Sequence, residues 1–147
     1  MAYSERELFA RLLKCEAGGE GEDGMKAVAT VIMNRVHVSG GQYLRTGAGD
    51  LRRVIQEPRE FTCLLGTVYG QVNPQTIWAT APEAVHYEVA DWALAGNKLP
   101  GVDECLWYYN PFRPTCAAVF PRNGSGNLYN RVGDHCFYTP TPLYWKT

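Results

Sequence analysis

The stretch from about Asp23 to His37 constrains the fold more than any other part of the chain. Met25, Val28, Ala29, Ile32 and Val36 recur along it at helical spacing. A helix with so continuous an apolar face must be covered by other elements, so it is expected to form the core spine. Gly18, Gly19 and Gly21 precede it as a tight, permissive connection. Before them, Ser4 to Glu16 reads as a second amphipathic helix. Ser4 and Glu7 make a capping box at its start, and Phe9, Leu12 and Leu13 mark its buried side. Glu16 follows Leu12 by four residues and Leu13 by three, which puts its carboxyl on that same side.

Downstream, residues 39 to 49 are Gly-rich and read as loop. Asp50 can cap a short helix carrying Leu51, Val54 and Ile55, with Pro58 as its end. Phe61 to Leu65 is apolar and of undecided type. An irregular segment with Tyr69, Asn73, Pro74 and Trp78 runs on to about Ala79. Thr80 and Glu83 suggest another capping box, with Pro82 in the first turn of a helix reaching about Ala95 and stopping at Gly96. After Pro100 the texture turns to short β-type runs at 106–109, 117–120 and 135–138, separated by Pro, Gly and Asn. Helices followed by a small antiparallel sheet make an α+β fold, expected as a lysozyme-like helical lobe followed by a small antiparallel β-sheet. A length of 147 residues fits one domain, residues 1–147.

A net charge of −1 leaves no electrostatic footprint for nucleic acid or for an anionic membrane surface. No segment is apolar for long enough to span a bilayer, and residues 1–3 lead straight into a charged helix start rather than a signal peptide. Nine Tyr and four Trp, many in the second half, suit a cleft in which ring faces pack on sugars; core filling is the alternative for any one ring. Five cysteines leave at least one thiol free unless chains pair. Cys116 and Cys136 flank a polar loop and are candidates for a bridge.

A carboxyl pressed against an apolar wall holds its proton nearer neutral pH, which is what a general acid requires. Glu16 is therefore the leading catalytic candidate, the alternative being a helix-end carboxylate bent into solvent. Glu20 is a possible second carboxylate, or a solvated residue favouring the next helix start with Glu22 and Asp23. His135 can orient substrate, exchange protons or bind a metal, the alternative being a half-buried histidine bonded to backbone. His37, His86 and His135 have no metal-binding spacing, so no metal and no cofactor are expected. A thiol nucleophile would need Cys15 or Cys63 to meet His135, and no nucleophile motif surrounds either. There is no G-x-S-x-G elbow and no phosphate loop; Gly124-Ser125-Gly126 reads as a flexible turn.

Taken in order, these segments form a pattern. Glu16-Ala17-Gly18-Gly19-Glu20 resembles the E-A-x-G-E signature of the SleB/CwlJ family of bacterial cell-wall hydrolases. Gly24 to Arg35, ending in Asn34-Arg35, resembles that family's second helix. Val54-Ile55-Gln56 with Phe61-Thr62, Leu106-Trp107-Tyr108-Tyr109-Asn110-Pro111, and Gly133-Asp134-His135-Cys136-Phe137 are similar to three further family stretches. The resemblance covers about residues 5 to 138. The Cys116/Cys136 pattern, together with the features of the N-terminus, looks more like the CwlJ branch than the SleB branch.

The resemblance implies cleavage of the glycan strand of spore-cortex peptidoglycan during germination, as a lytic transglycosylase with Glu16 as acid and base. It also implies synthesis in the mother cell, a place in the spore coat or cortex, and a possible coat partner protein. Phe61, Tyr109, Asn110 and His135 are the expected substrate-binding residues, with Asn34 and Arg35 supporting the site. The competing readings are an N-acetylmuramoyl-L-alanine amidase, a hydrolytic muramidase or glucosaminidase, and a non-enzymatic coat or wall-binding protein.

Overall fold

Helix α2 (Gly21–His37) is apolar on more than one face, and this organises the molecule. In the computed structural model, which describes residues 3–57, 60–64, 67, 68, 70–72, 76–79 and 81–147, Ala27 through Ile32 are fully buried. One face of α2, with Val28, Ala29 and Ile32, packs into the helical lobe against Leu8, Phe9, Leu12 and Leu13. The opposite face, with Ala27 and Val31, packs on Val102, Cys105 and Phe137. The spine thus lies between the helices and the sheet, and it buries a second face that the spacing did not single out.

The helical lobe is built from α1 (Glu5–Ala17), α4 (Leu51–Gln56) and α5 (Ala84–Leu94) around that spine. Two of the three anticipated caps supply their N-cap bond: Ser4 Oγ accepts from the Glu7 amide at 3.1 Å and Asp50 Oδ1 from the Arg52 amide at 2.9 Å, while the Glu7 carboxylate, expected to close a box with Ser4, accepts from Arg11. Each fully buried leucine of α1 contributes about 1.5–3 kcal/mol of transfer free energy. Arg11 lies on the buried side as well, where it donates to Glu7 and to the Ile77 carbonyl, tying residues 76–79 to α1.

Three antiparallel strands follow, β3 (Trp107–Tyr109), β4 (Gly126–Val132) and β5 (His135–Pro140), in the order β3-β5-β4. The register pairs Trp107 with Tyr138, Tyr108 with Phe137 and Tyr109 with Cys136. Because side chains alternate across a strand, Trp107 and Tyr109 share one face with Cys136 and Tyr138, in a cluster that also holds Tyr43 and Tyr144. Tyr108 and Phe137 take the other face, toward α2. The result is the expected α+β arrangement of helical lobe and small antiparallel sheet.

Several local expectations give way. The Gly-rich loop at 39–49 contains helix α3 (Gln42–Gly47), whose Tyr43 is buried against Trp107 and Tyr144. Tertiary burial of one aromatic ring there outweighs weak local propensity. Residues 117–120 form only an isolated bridge, Val119 to Asn127, whereas β4 was not anticipated: its central residues are exposed, so it carries no apolar alternation to read. A hairpin of β1 (Thr67–Val68) and β2 (Gln71–Val72) interrupts the segment read as irregular. Helix α5 begins at Ala84, after Pro82, and is boxed by Glu83 and His86. Thr80, and with it the cap assigned to it, lies outside the described residues, as do Pro58, Leu65, Tyr69, Asn73 and Pro74.

The C-terminal helix α6 (Pro142–Trp145) closes the second cluster by burying Tyr144 against Gly41. At Gly41 φ is +77°, and an added Cβ would stand 2.5 Å from two ring carbons of Tyr144. Gly41→Ala is expected to cost about 1–3 kcal/mol and lower the melting temperature by about 3–10 °C. Gly96→Ala, at a φ of +97° but with open space around the new Cβ, should lose less. Thermal unfolding followed by circular dichroism compares the two.

Candidate active site

Glu16 sits in the last turn of α1, where the apolar stripe of Leu12 and Leu13 ends at a cleft of about 610 Å³. The Ala17–Glu20 turn, His86 of α5, and Asn110, Phe112 and His135 of the sheet side line the rest of that cleft. Burial pushes the Glu16 carboxyl above the usual carboxylate range; the Tyr108 hydroxyl and the nearby His135 and Arg35 pull the other way without cancelling it. The negative end of the α1 dipole opposes ionisation too.

Tyr108 is the direct partner, its hydroxyl donating to Glu16 Oε1 at 2.5 Å. Burial, and then Glu16 itself, raise the Tyr108 hydroxyl well above the ordinary phenol range, so it stays protonated and remains a donor. The other carboxyl oxygen, Oε2, lies 3.0 Å from Cys63 Sγ. Cys63 is bridged to Cys15, so this sulfur carries no proton.

Glu20 belongs to a second pair. It stands at the N-cap position of α2, but its side chain makes no cap there. Instead Glu20 Oε1 lies 3.0 Å from His135 Nδ1 and accepts from the Asp134 amide at 3.3 Å. A carboxylate only accepts, so the imidazole presents its Nδ1–H to Glu20. His135 then stands edge-on to Tyr108, with ring centroids 5.4 Å apart. The charge role at the helix start is therefore taken by Glu22 and Asp23, without Glu20.

Asn34 and Arg35 lie on the far side of the carboxyl. Asn34 Nδ2 donates to the carbonyls of Asp103 and Cys105, at 2.7 and 2.9 Å. Arg35 Nε donates to the Leu106 carbonyl at 2.8 Å, and its NH1 to Glu60 at 3.2 Å. These bonds fix the chain entering β3, which carries Tyr108. The Arg35 guanidinium lies over the ring of Tyr43 at 4.4 Å and that of Phe61 at 5.8 Å. Although burial opposes its charge, Tyr43, Glu60, Tyr108 and Glu16 together favour it.

The expected sugar-binding residues separate into two groups. Asn110 and His135 line the cleft. Phe61 is only 2 % exposed and packs in the helical core. Tyr109 points to the other sheet face, where it stacks on Phe120 and Tyr138 at 4.5 and 5.8 Å. Neither ring offers a free face to the cleft. Sequence reasoning missed Tyr108, and the strand period places it opposite its neighbour Tyr109. Phe112 was also missed: it is 89 % exposed at the cleft and has φ +54°. Its amide donates to Asn110 Oδ1 at 2.7 Å, a turn that holds this strained position. The Asn-Pro dipeptide just before it was the available signal. His86, on the α5 side, accepts from the Glu83 amide, and burial together with Lys14 lowers its pKa. The thiol-nucleophile alternative fails here, because Cys15 and Cys63 are joined in a disulfide. Cys116 and Cys136 are bridged as well, and Cys105 is a buried free thiol.

A carboxyl whose folded pKa is raised favours the fold below its unfolded value and penalises it as pH rises through the folded one. Glu16→Gln is accordingly expected to raise the melting temperature at neutral and alkaline pH. The gain should shrink toward zero below about pH 4, the ordinary carboxylate range. Melting temperatures of both proteins across pH measure this; a gain independent of pH would contradict the burial of Glu16.

The sequence profile of the family described as Cell Wall Hydrolase matches residues 19–138, beginning three residues past Glu16. The chain is 29% identical over 135 residues to the cell wall hydrolase CwlJ of Bacillus subtilis strain 168, covering 92% of this chain and 84% of that protein. It is 32% identical over 138 residues to a spore cortex-lytic enzyme of Bacillus cereus, spanning 92% of this chain and 45% of that longer protein. In three dimensions it matches the catalytic domain of the germination-specific lytic transglycosylase SleB from Bacillus anthracis, with a TM-score of 0.65 and 26% identity, covering 94% of this chain and 98% of that one. The helices that raise Glu16, the sheet that supplies Tyr108 and His135, and these likenesses agree: the chain belongs to the Cell Wall Hydrolase family.

Proposed function

We propose that this protein cleaves the glycan strand of spore-cortex peptidoglycan as a lytic transglycosylase in germination, with Glu16 as the single acid and base. The observation carrying this reading is a carboxyl at a substrate-sized cleft, raised by burial and held by the Tyr108 hydroxyl. In the first step Glu16 gives its proton to the glycosidic oxygen as the bond to the anomeric carbon breaks. The resulting carboxylate then takes the proton of the same sugar's 6-hydroxyl, whose oxygen closes on that carbon as a 1,6-anhydro ring. Water is not consumed, and Glu16 ends protonated again. Two-carboxylate glycosidases need a second, free carboxylate across the bond. Glu20 is engaged by His135 and the Asp134 amide, which supports the one-carboxylate route.

Substrate contacts are assigned to Asn110 and His135 as hydrogen-bonding groups and to Phe112 as the exposed ring on which a sugar face packs. Simple hydrolysis is the second reading, favoured by the presence of Glu20 at the same cleft, where it could hold a water. The spore as the place of action follows from the relatives named for cortex lysis. A coat location, synthesis in the mother cell and a coat partner rest on the resemblance to the CwlJ branch. Two disulfides suit a final site outside a reducing cytosol.

Digestion of purified cortex peptidoglycan with mass analysis of the products tests the chemistry. Anhydro ends are expected. Reducing ends would mean hydrolysis, and released stem peptides an amidase. Glu16→Gln should lower the rate by about 10²–10⁴-fold; unchanged cleavage would remove Glu16 from the mechanism. Phe112→Ala should weaken glycan binding by about 2- to 10-fold with little change in kcat, and Phe112→Trp should restore it.

A further inference from the structure

We infer that the Cys15–Cys63 disulfide tunes Glu16: while the bridge is closed, Cys63 presents a protonless sulfur to the carboxyl, and opening it turns the same sulfur into a donor that favours the carboxylate. Cys63 is then a positioning residue for the acid, and its catalytic consequence rests on the role proposed for Glu16.

The groups facing the carboxyl come from four elements. Tyr108 of β3 donates to Oε1, and Cys63 of the 3-10 turn Thr62–Leu64 touches Oε2. Arg35 of α2 and His135 of β5 act as nearby charges, and Glu60 and Glu20 sit against them at 3.2 and 3.0 Å. Across the cleft stand Glu83 and His86, with Lys14 on α1 itself. Oε1 is occupied as an acceptor, so the acid form keeps its proton on Oε2, beside the sulfur. In the bridged state that sulfur is at most a weak acceptor, and no group among the described residues donates to Oε2.

Reduction reverses the polarity of the contact. A small dithiol supplies two electrons and two protons, becomes a cyclic disulfide, and leaves Cys15 and Cys63 as thiols. The Cys63 S–H, 3.0 Å from Oε2, then donates to the carboxylate and favours loss of the catalytic proton. Cys15 is partly exposed and lines the cleft, so a dithiol reaches the bridge from the substrate side. The other bridge, Cys116–Cys136, lies in the aromatic cluster on the far face of the sheet and makes no such contact among the described residues. An oxidised protein therefore keeps its acid charged with a proton to higher pH than a reduced one.

Three variants separate this tuning from loss of the cross-link. Cys15→Ala leaves a thiol donor at Cys63, Cys15→Ala/Cys63→Ser leaves a hydroxyl donor, and Cys15→Ala/Cys63→Ala leaves none; all three lack the bridge. The Glu16 carboxyl is titrated by carbon-13 NMR in glutamate-labelled protein, assigned with Glu16→Gln, and no substrate is needed. Its titration should move to lower pH in the first two variants and in dithiothreitol-treated wild type, and return on reoxidation. The alanine pair should stay at the wild-type position. If all three variants move together, or none moves, the inference is overturned. Glycan cleavage above the midpoint should fall by about 2- to 10-fold in the donor variants alone. An NMR shift without that fall would support the tuning and sink the catalytic assignment of Glu16 instead. Should a variant fail to fold, the reversible reduction of wild type reads the same titration.

Discussion

The hydrogen bond from Tyr108 to Glu16 is the contact on which the arrangement turns, because it joins the helical lobe to the sheet at a buried carboxyl. A carboxyl beside apolar neighbours is costly to ionise, and a fold keeps one only if its surroundings are tightly specified. Here α1 supplies the apolar neighbours and β3 supplies the donor. Tyr108 is itself desolvated, so it remains a donor and does not compete for the proton. Its bond moderates the rise in the Glu16 pKa without abolishing it, leaving a carboxyl that keeps its proton to higher pH than a solvated one.

That contact depends on α2. With apolar residues on both faces, the helix holds α1 on one side and the sheet on the other. Its Asn34-Arg35 pair then grips three carbonyls on the path into β3, those of Asp103, Cys105 and Leu106. These bonds set the height at which Tyr108 meets Glu16. Asn34 Oδ1 is left buried without a partner among the described residues, the cost of spending both amide hydrogens on backbone. Arg35 adds a positive charge near the carboxyl, partly neutralised by Glu60. What reads in sequence as the end of a helix is mechanically the clamp between two halves of the site.

Particular residues show how far the one-dimensional pattern reaches. Glu16 was legible because helical spacing alone places it beside Leu12 and Leu13. Asn110 and His135 both line the cleft. Tyr109 and Tyr108 could not be told apart, since two adjacent tyrosines in a strand are equivalent until one face is covered; α2 covers the face of Tyr108. Phe61 is an aromatic ring near the site in sequence, but core packing takes it. Glu20 has the spacing of a helix-start charge, and only the return of β5 supplies His135 as a partner 115 residues away.

The sequence by itself determined the helical spine, the position of Glu16 on an apolar face, the α+β order of elements and the family motifs. All of these depend on local periodicity or on short contiguous strings. Tertiary structure decided which tyrosine meets the acid, which carboxylate is engaged by histidine, which cysteines bridge, and which aromatic ring remains exposed at the cleft. Those outcomes depend on contacts between residues far apart in the chain, and they arise only when the sheet folds back over α2.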